Sequence, residues 1–198
     1  MTRRRTIAEP TMAIVVLAGG RSHRMGRDKL SLRQGDRTLL QVILDQLAPF
    51  SIAPLRLAGP KRDEITGDFM WVGEQPPGGG PVAGIKAALE GVEAEWTVLM
   101  AGDAPKGPLA VPALLSHRVR LAAGQDGVIV VDARGKRQPL CAMYRTTSLS
   151  LALEQLGEAT GASMRQLLEN LTLVDLPDTW EAAGDIDTAS DAERAGFA

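Results

Sequence analysis

Short, wholly apolar segments alternate along the chain with segments whose apolar residues recur every three or four positions. Residues 13–17 form an apolar run typical of a strand buried on both faces of a parallel sheet. Residues 38–47 carry apolar side chains at helical spacing. The same patterns predict further strands at residues 55–58, 70–72, 96–100, 127–131, 138–144 and 171–176, and further helices at residues 81–91, 109–122, 146–156, 163–169 and from 189. This alternation predicts a three-layer, Rossmann-like α/β fold with a mostly parallel central sheet.

Two of the predicted strands lead directly into segments with polar or glycine-rich character. The first is followed by glycines and cations, and the second by the segment Ala101-Gly102-Asp103. In sheets of this kind, ligands bind outside the carboxyl ends of the strands. The chemistry is therefore expected just after Leu17 and just after Met100.

The composition is that of one ordinary globular domain. The 198 residues are 44% hydrophobic and 23% charged, which excludes a disordered, collagenous or coiled-coil chain. We assign residues 12–198 to a single domain and residues 1–11 to a flexible arm, because Glu9 and Pro10 interrupt the chain before the apolar run begins. No apolar run reaches the roughly 18–20 residues of a membrane span. The lone Cys141 excludes an internal disulfide and indicates a reducing, cytoplasmic environment.

A net charge of −2 conceals an uneven distribution. Residues 1–37 hold nine Lys or Arg against three acids, whereas residues 150–198 hold ten acids against two bases. Within the basic part, residues 21–29 carry a net charge of +3, which suits a polyanionic ligand. The basic region is a single loop and the chain has only seven aromatic residues, so a nucleic-acid partner is not expected.

The loop after the first predicted strand has the residue types that hold phosphate groups. Gly19, Gly20 and Gly26 allow backbone N–H groups to approach an anion closely. Arg24 adds a planar, bidentate cation and Lys29 a mobile one. The spacing is that of neither a Walker A loop nor a dinucleotide-binding G-x-G-x-x-G. The alternative is a glycine turn with solvated arginines, but three glycines and four cations on one loop favour phosphate binding.

This loop resembles a known family. The segment Leu17-Ala-Gly-Gly-x-Ser-x-Arg-Met-Gly-x-Asp-Lys29 is similar to the signature of the nucleotidyltransferases that include molybdenum cofactor guanylyltransferase. The resemblance implies a nucleotidyltransferase fold, backbone amides that hold the nucleotide phosphates, and cations that stabilise charge during transfer to the α-phosphate. The positions implied are Leu17, Ala18, Gly19, Gly20, Arg24 and Lys29. Related cytidylyltransferases typically show Ala-Ala-Gly where this chain has Ala-Gly-Gly, so the resemblance favours GTP over CTP.

A carboxylate follows the second of the two strands. Mg²⁺ that bridges phosphate oxygens takes one or two carboxylates and keeps several waters. Asp103 fits that role, although an aspartate in this position also caps helices and turns. The family carries a similar Gly-Asp-x-Pro-like or Cys-Asp-x-Pro-like segment here. The resemblance therefore implies that Asp103 is catalytic, contacts the nucleotide and binds Mg²⁺.

A glycine- and proline-rich segment, Glu74-Gln-Pro-Pro-Gly-Gly-Gly-Pro-Val-Ala-Gly84, precedes the next predicted helix. It is similar to the family's Pro-Gly-x-Gly-Pro-hydrophobic-Ala-Gly segment, which follows an acid that recognises the base. The resemblance implies nucleotide contacts from Glu74, Gly80 and Pro81. A carboxylate suits guanine, whose N1–H and exocyclic amine both donate. A plain surface loop is the alternative.

The acceptor side of the site is implied by a later strand. Residues 138–144 resemble the family's Pro-Leu-x-Ala-x-Tyr strand, which lies where the acceptor pterin approaches. Lys136 and Arg137 are then candidates to meet the pterin phosphate, and Arg165 is a candidate acceptor contact, with solvated surface charges as the alternative. Cys141, in an apolar strand, is expected to be a core residue and not a nucleophile.

Near the C-terminus, residues 185–191 resemble the family's Asn-x-Asn-Thr-Pro-Glu-Asp/Glu ending, with departures. Asp185 and Asp187 stand where the family has Asn, and Ala189 stands where it has Pro. An aspartate can replace Asn as an oxygen ligand, so Asp187 is the second candidate Mg²⁺ ligand. Thr188 and Asp191 also have the spacing of a capping box for the last helix. The two interpretations are compatible.

The resemblance implies an enzyme that transfers GMP from GTP to the phosphate of molybdopterin, with Mg²⁺ as cofactor and pyrophosphate as product. Candidate protein partners are molybdoenzyme apoproteins and cofactor-delivery proteins. One alternative is a cytidylyltransferase or another NTP transferase on the same fold. Another is a non-catalytic carrier of nucleotide or cofactor, but a pure binder has no need of Arg24, Lys29 and Asp103 together.

Overall fold

A computed structural model describes residues 11–19, 28–50, 55–73 and 77–198. The strands in these ranges are β1 (Met12–Leu17), β2 (Arg33–Gln34), β3 (Arg37–Thr38), β4 (Leu55–Ala58), β5 (Phe69–Val72), β6 (Trp96–Ala101), β7 (Gly127–Val131), β8 (Arg137–Arg145) and β9 (Leu173–Pro177). The α-helices are α1 (Leu39–Leu47), α2 (Pro81–Leu89), α3 (Val111–Arg118), α4 (Thr146–Leu156), α5 (Met164–Leu167) and α6 (Ala189–Arg194). None of the described helices has the length and apolarity needed to cross a bilayer.

Seven strands form one central sheet in the order β5-β4-β1-β6-β8-β7-β9. All of the strand pairs are parallel except those of β8, which runs antiparallel to β6 and to β7. The predicted mostly parallel sheet is thus confirmed. Because β8 runs the opposite way, its N-terminal half lies at the edge where the other strands have their carboxyl ends.

Helices cover both faces of the sheet, which confirms the three layers. Along β1, Ile14 and Val16 belong to a core cluster that includes α1, α3 and α6, while Val15 and Leu17 belong to a second cluster with α2, α4 and α5. β1 is buried along its whole length, as its uninterrupted apolar run predicts. Each fully buried side chain of this size contributes roughly 1.5–3 kcal/mol. The central strand therefore fixes the place where the loop after it begins.

Several boundaries differ from those predicted. The helix predicted at residues 109–122 is a 3-10 turn, Gly107–Ala110, followed by the shorter α3, and the helix predicted at 163–169 is reduced to α5. The sequence pattern also missed the β2–β3 hairpin, because two polar two-residue strands leave no periodicity to detect. The C-terminal residue pairs with this hairpin, since the backbone groups of Arg33 and Ala198 exchange two hydrogen bonds of 2.9 Å.

The part of β8 that reaches the carboxyl edge contains a bulge. β7 pairs Ile129 with Ala142 but Val130 with Gln138, so residues 139–141 have no partner on β7. The hydroxyl of the fully buried Tyr144 donates a hydrogen bond of 2.9 Å to the carbonyl of Pro139 across this bulge. Bulges re-aim side chains at the ends of sheets. Here Tyr144 stabilises the bend that turns residues 139–141 away from pairing with β7.

We expect Tyr144→Phe to lower the free energy of unfolding by about 1–2 kcal/mol, because the change removes one donor and leaves a carbonyl without it. The ring and its packing are retained, so the loss isolates the hydrogen bond. Equilibrium unfolding in urea measures it. A variant with unchanged stability would show that the bulge does not depend on this bond.

Candidate functional site

A cavity of about 1240 Å³ lies at the carboxyl edge of the sheet. Its walls come from the segments after β1, β4 and β6, the start of α2 and the bulge of β8, and include Leu17, Gly59, Gly80, Asp103, Leu140 and Asp185. Sites for one drug-sized ligand occupy about 300–1,000 Å³, so the volume is sufficient for a nucleotide and part of a second molecule. The sequence analysis predicts the ligand site at this same edge of the sheet.

Two glycines let the neighbouring segments pack tightly against the end of β1. A Cβ on Gly59 would lie 2.6 Å from the carbonyl carbon of Ala18, and a Cβ on Gly102 would lie 2.7 Å from the carbonyl oxygen of Leu17. Hydrogen bonds hold both approaches, from the Ala18 N–H to the Ala58 carbonyl (2.8 Å) and from the Gly102 N–H to the Leu17 carbonyl (3.0 Å). The start of the predicted phosphate loop is therefore fixed from both sides.

Lys29 joins two of the predicted carboxylates. Its Nζ lies 2.5 Å from Oδ1 of Asp187 and 3.7 Å from Oδ2 of Asp103. The lysine side chain is only 12% exposed, whereas Asp103 and Asp187 remain 32% and 46% exposed. The backbone N–H of Ile186 donates to the Asp103 carbonyl (3.0 Å), which ties the C-terminal segment to the end of β6. Residues that lie far apart in the sequence thus converge at one rim of the cavity.

A third carboxylate, that of Asp185, lies beside this group. Partial desolvation at the cavity wall and the charges of Asp103 and Asp187 raise the pKa of Asp185 to about 6, although the residue keeps contact with solvent. Burial also raises the pKa of Asp103, and the charge of Asp187 adds to this, while the ammonium of Lys29 opposes it. Among the described residues, the carboxylates of this rim therefore disfavour one another's ionisation.

The donor set at this rim is compatible with a hard divalent cation. Asp103 and Asp187 both lie beside the ammonium of Lys29, so a cation near that position would find two carboxylates. Within the described residues, no three His, Cys, Asp or Glu side chains are grouped closely enough to enclose a metal on their own. Mg²⁺ typically uses one or two carboxylates together with substrate phosphates and water. The residues present fit that pattern.

The nucleotide-binding positions implied by the resemblance are only partly within the described ranges. Leu17 and Gly19 line the cavity, and so do Gly80 and Pro81, where α2 begins without a side-chain cap. Gly80 has a φ of +93°, a conformation that favours glycine. Ala18 is fully buried and does not line the cavity, and the other three predicted positions, Gly20, Arg24 and Glu74, lie outside the described residues.

Among the described residues, the part of the cavity predicted to bind the acceptor is lined mainly by apolar side chains and one amide, and not by cations. Gln138, Pro139, Leu140 and Cys141 line it, as does Met164. Burial raises the pKa of the Cys141 thiol to about 12, and the carboxylates of two nearby aspartates reinforce this, so Cys141 is a neutral wall residue.

The three cations considered for the acceptor do not line the cavity. Arg137 is paired with Asp175 (Nε to Oδ1, 2.7 Å), and Arg165 is exposed on α5. Lys136 is also exposed, and its charge only partly opposes the rise in the pKa of Asp185. The capping box predicted for the last helix is confirmed, since Thr188 and Asp191 exchange side-chain-to-backbone hydrogen bonds at the start of α6.

Sequence reasoning missed the wall of the cavity formed after β4 and β5. Gly59, Pro60 and Lys61 follow β4 directly, and Trp71 lies at the end of β5. The carboxyl-end rule applied to these weaker strands would have found them. In the sequence, Asp185 stands out only as a departure from the family ending that residues 185–191 resemble. Its position in the cavity depends on the fold of the whole C-terminal segment and has no local signal.

Sequence comparison matches this chain to one family model and to relatives that are named for the same activity. Residues 14–176 match the family model of the MobA-like NTP transferase domain. A probable molybdenum cofactor guanylyltransferase of Mycolicibacterium paratuberculosis is 33% identical over 171 residues, which cover 80% of this chain and 81% of the relative. The molybdenum cofactor guanylyltransferase of Rhodopseudomonas palustris is 31% identical over 153 residues, covering 73% and 71%.

The fold is also shared with a solved structure. The crystal structure of molybdopterin-guanine dinucleotide biosynthesis protein A from Archaeoglobus fulgidus superposes with a TM-score of 0.72 at 26% identity. The match covers 93% of this chain and 97% of that one.

The crowded carboxylates lead to a pH-dependent prediction. Because the pKa of Asp185 is raised in the folded state, its ionised form opposes folding above about pH 6, and this opposition fades as the pH falls. Without Mg²⁺, Asp185→Asn should raise the melting temperature at pH 8 by on the order of 2 °C, after allowance for solvent screening. The difference from the natural protein should shrink towards pH 5.

Differential scanning calorimetry in EDTA measures this difference. Asp36→Asn, on the exposed turn of the β2–β3 hairpin, is the matched control and should leave the melting temperature unchanged. If Asp185→Asn did not stabilise the protein at pH 8, the carboxylates would not repel one another as the geometry indicates.

Proposed function

The chain belongs to the MobA-like NTP transferase domain family and is a nucleotidyltransferase, and from this premise we propose its reaction. It transfers GMP from GTP to the phosphate of molybdopterin and releases pyrophosphate. A phosphate oxygen of the acceptor forms a bond to the α-phosphorus of GTP. The bond from that phosphorus to the bridging oxygen breaks, and pyrophosphate leaves with the electron pair.

The observation that carries this proposal is the position of Lys29. Its ammonium lies at the rim of the cavity beside Asp103, and in the sequence it ends the segment that resembles a phosphate-binding loop. An ionised acceptor phosphate needs no general base, so the protein has only to position two anions and offset the charge between them. Lys29 supplies a partly desolvated positive charge for that purpose. Arg24, on the loop that resembles the family signature, is proposed as the second cation.

Mg²⁺ is proposed as the cofactor, with Asp103 and Asp187 as its protein ligands. When bound, it would offset phosphate charge and orient the triphosphate. The support for this is the pair of partly exposed carboxylates that share one lysine. Lys29 lies close to both carboxylates, so a cation that bound them would leave its ammonium available to an anionic ligand. The arrangement therefore favours binding of a cation together with an anionic ligand.

The choice of GTP over CTP rests on the relatives and on the sequence of the first loop. The relatives described above are named as guanylyltransferases. Ala18-Gly19-Gly20 leaves more room for a purine than the Ala-Ala-Gly typical of the cytidylyltransferases, and Glu74 is the candidate partner for the guanine edge. A non-catalytic carrier is less well supported, because a carrier has no need of Lys29 between two carboxylates.

Molybdopterin is proposed as the acceptor, bound beside the bulge of β8. That part of the cavity is lined by Pro139, Leu140 and Met164, which provide apolar surface for a planar ring, and by the amide of Gln138. Gln138 donates a hydrogen bond of 2.9 Å to Asp132, so its side chain is already oriented. These groups suit a heterocycle with polar edges better than an acyl chain or a sugar.

A panel of GTP, CTP, ATP and UTP tests the nucleotide specificity in the presence of Mg²⁺. GTP should raise the melting temperature most, because a ligand that binds only the folded state stabilises it by mass action. Thermal-shift measurements at equal nucleotide concentrations suffice. Larger stabilisation by CTP than by GTP would overturn the proposed specificity.

Replacing Lys29 tests the mechanism. Lys29→Ala should lower turnover at least ~10²-fold, the typical effect of losing one preorganised charge contact, while the protein stays folded. The measurement is GMP transfer followed by pyrophosphate release, with circular dichroism to verify folding. Lys86→Ala, which removes an exposed lysine of α2, is the control and should keep full turnover. Unchanged turnover of Lys29→Ala would contradict the mechanism.

A further inference from the structure

We propose that Arg62 is a positioning residue for the transfer reaction: through Asp28 it holds the turn that presents Lys29 to the cavity. Arg62 lies outside the segment of residues 17–29 that resembles the family signature. The inference rests on the proposed function, because Lys29 has to contribute to GMP transfer for its position to matter. Four observations on the described residues lead to it.

The backbone that carries Lys29 is a short element with little stability of its own. Lys29 is the first residue of a 3-10 turn that ends at Ser31. Such turns are rarely longer than three or four residues and have poorer hydrogen-bond geometry than an α-helix. The direction of the Lys29 side chain therefore depends on what holds the beginning of this turn.

Asp28 holds it as the N-cap. Its Oδ1 accepts the backbone N–H of Leu30 at 3.1 Å, and its Oδ2 accepts the hydroxyl of Ser31 at 3.1 Å. The same Oδ2 accepts a hydrogen bond from Nη1 of Arg62. Partial burial works against ionisation of Asp28, but the hydrogen bond and charge of Arg62, together with the hydrogen bonds from Leu30 and Ser31, lower its pKa below the ordinary value. The guanidinium of Arg62 therefore favours the ionised form of the residue that caps the turn.

Arg62 reaches Asp28 from the wall of the cavity. It lies just after Gly59, Pro60 and Lys61, which line the cavity beyond β4. Its side chain is only 12% exposed, and its Nε is buried without a partner among the described residues. A cation so little solvated is strongly held by an anionic partner, because losing that partner would leave its charge unpaired. The pair therefore fastens the Lys29 turn to the cavity wall.

The core provides a separate anchor for the same segment. Leu30 and Leu32 are both buried in the cluster that packs against α1. This anchoring does not involve Arg62 and should keep the segment folded without it, but it does not include Asp28 or Lys29 at the start of the turn. Loss of Arg62 should therefore change where the Lys29 ammonium points more than whether the protein folds.

A double-mutant cycle between Arg62 and Lys29 tests this. Arg62→Met keeps the aliphatic stem and should lower kcat by about tenfold or more, since small misplacements of a catalytic group are costly. The KM for GTP should change less than kcat, and Arg62→Lys should restore most of the activity. In the Lys29→Ala background, Arg62→Met should have almost no further effect. Arg37→Met, which breaks the exposed ion pair with Asp45, is the matched control.

An equal loss of kcat from Arg62→Met in both backgrounds would overturn the proposal, because a general structural brace acts whether or not Lys29 is present. An unchanged kcat in Arg62→Met would overturn it as well.

A readout that needs no activity separates this inference from the proposed function. Lys29 is shielded and paired with Asp187, so its amine should react slowly with acetic anhydride in the natural protein. Arg62→Met should increase acetylation of Lys29 several-fold, measured by mass spectrometry of peptides, while Arg37→Met should not. Unchanged labelling of Lys29 would overturn the positioning role. Absence of GMP transfer by the natural protein, with increased labelling in Arg62→Met, would contradict the proposed function alone.

Discussion

The ion pairs of Lys29 with Asp103 and Asp187 are the interaction on which this site depends. Lys29 follows the first loop, Asp103 follows β6, and Asp187 comes from the C-terminal segment, so the three meet only in the folded chain. Two carboxylates this close to each other repel in a partly desolvated place, and Lys29 offsets that repulsion. The same pairing brings the C-terminal segment over the cavity, where the N–H of Ile186 bonds to Asp103. The ion pairs of Lys29 therefore help to hold the end of β6 and the C-terminal segment together at the rim of the cavity.

The constraint also explains how such a site can respond to substrate. In the proposed reaction, a triphosphate competes with Asp103 and Asp187 for Lys29, and the carboxylates in turn become available to Mg²⁺. Anion and cation would then favour each other's binding, since the anion takes Lys29 and frees the carboxylates, and the cation takes the carboxylates and frees Lys29. The raised pKa of Asp185 has the same origin, because it is one more carboxylate at this rim. Its presence where the family ending has Asn makes the site of this chain more acidic.

Much of the fold could be predicted from the sequence, and the limits have physical reasons. The apolar run of β1, the helical spacing of α1 and the capping box of α6 are local signals, and the structure confirms them. The reversed direction of β8 is not local, since strand patterns are the same in either direction. At the site, Leu17, Lys29 and Asp103 could be predicted because glycines and charged residues occur in the segments that follow two strong strands. Gly59 and Arg62 follow a short, weak strand, and their roles depend on contacts with residues far along the chain.

The identity of the product tests the central claim most directly. The protein would be incubated with Mg²⁺, molybdopterin and an equimolar mixture of GTP, CTP, ATP and UTP, and the products analysed by mass spectrometry. If Lys29 and its carboxylates form a guanylyltransferase site, the mass of the guanine dinucleotide should dominate and appear together with pyrophosphate. A cytosine dinucleotide as the main product, or no dinucleotide at all, would contradict the account.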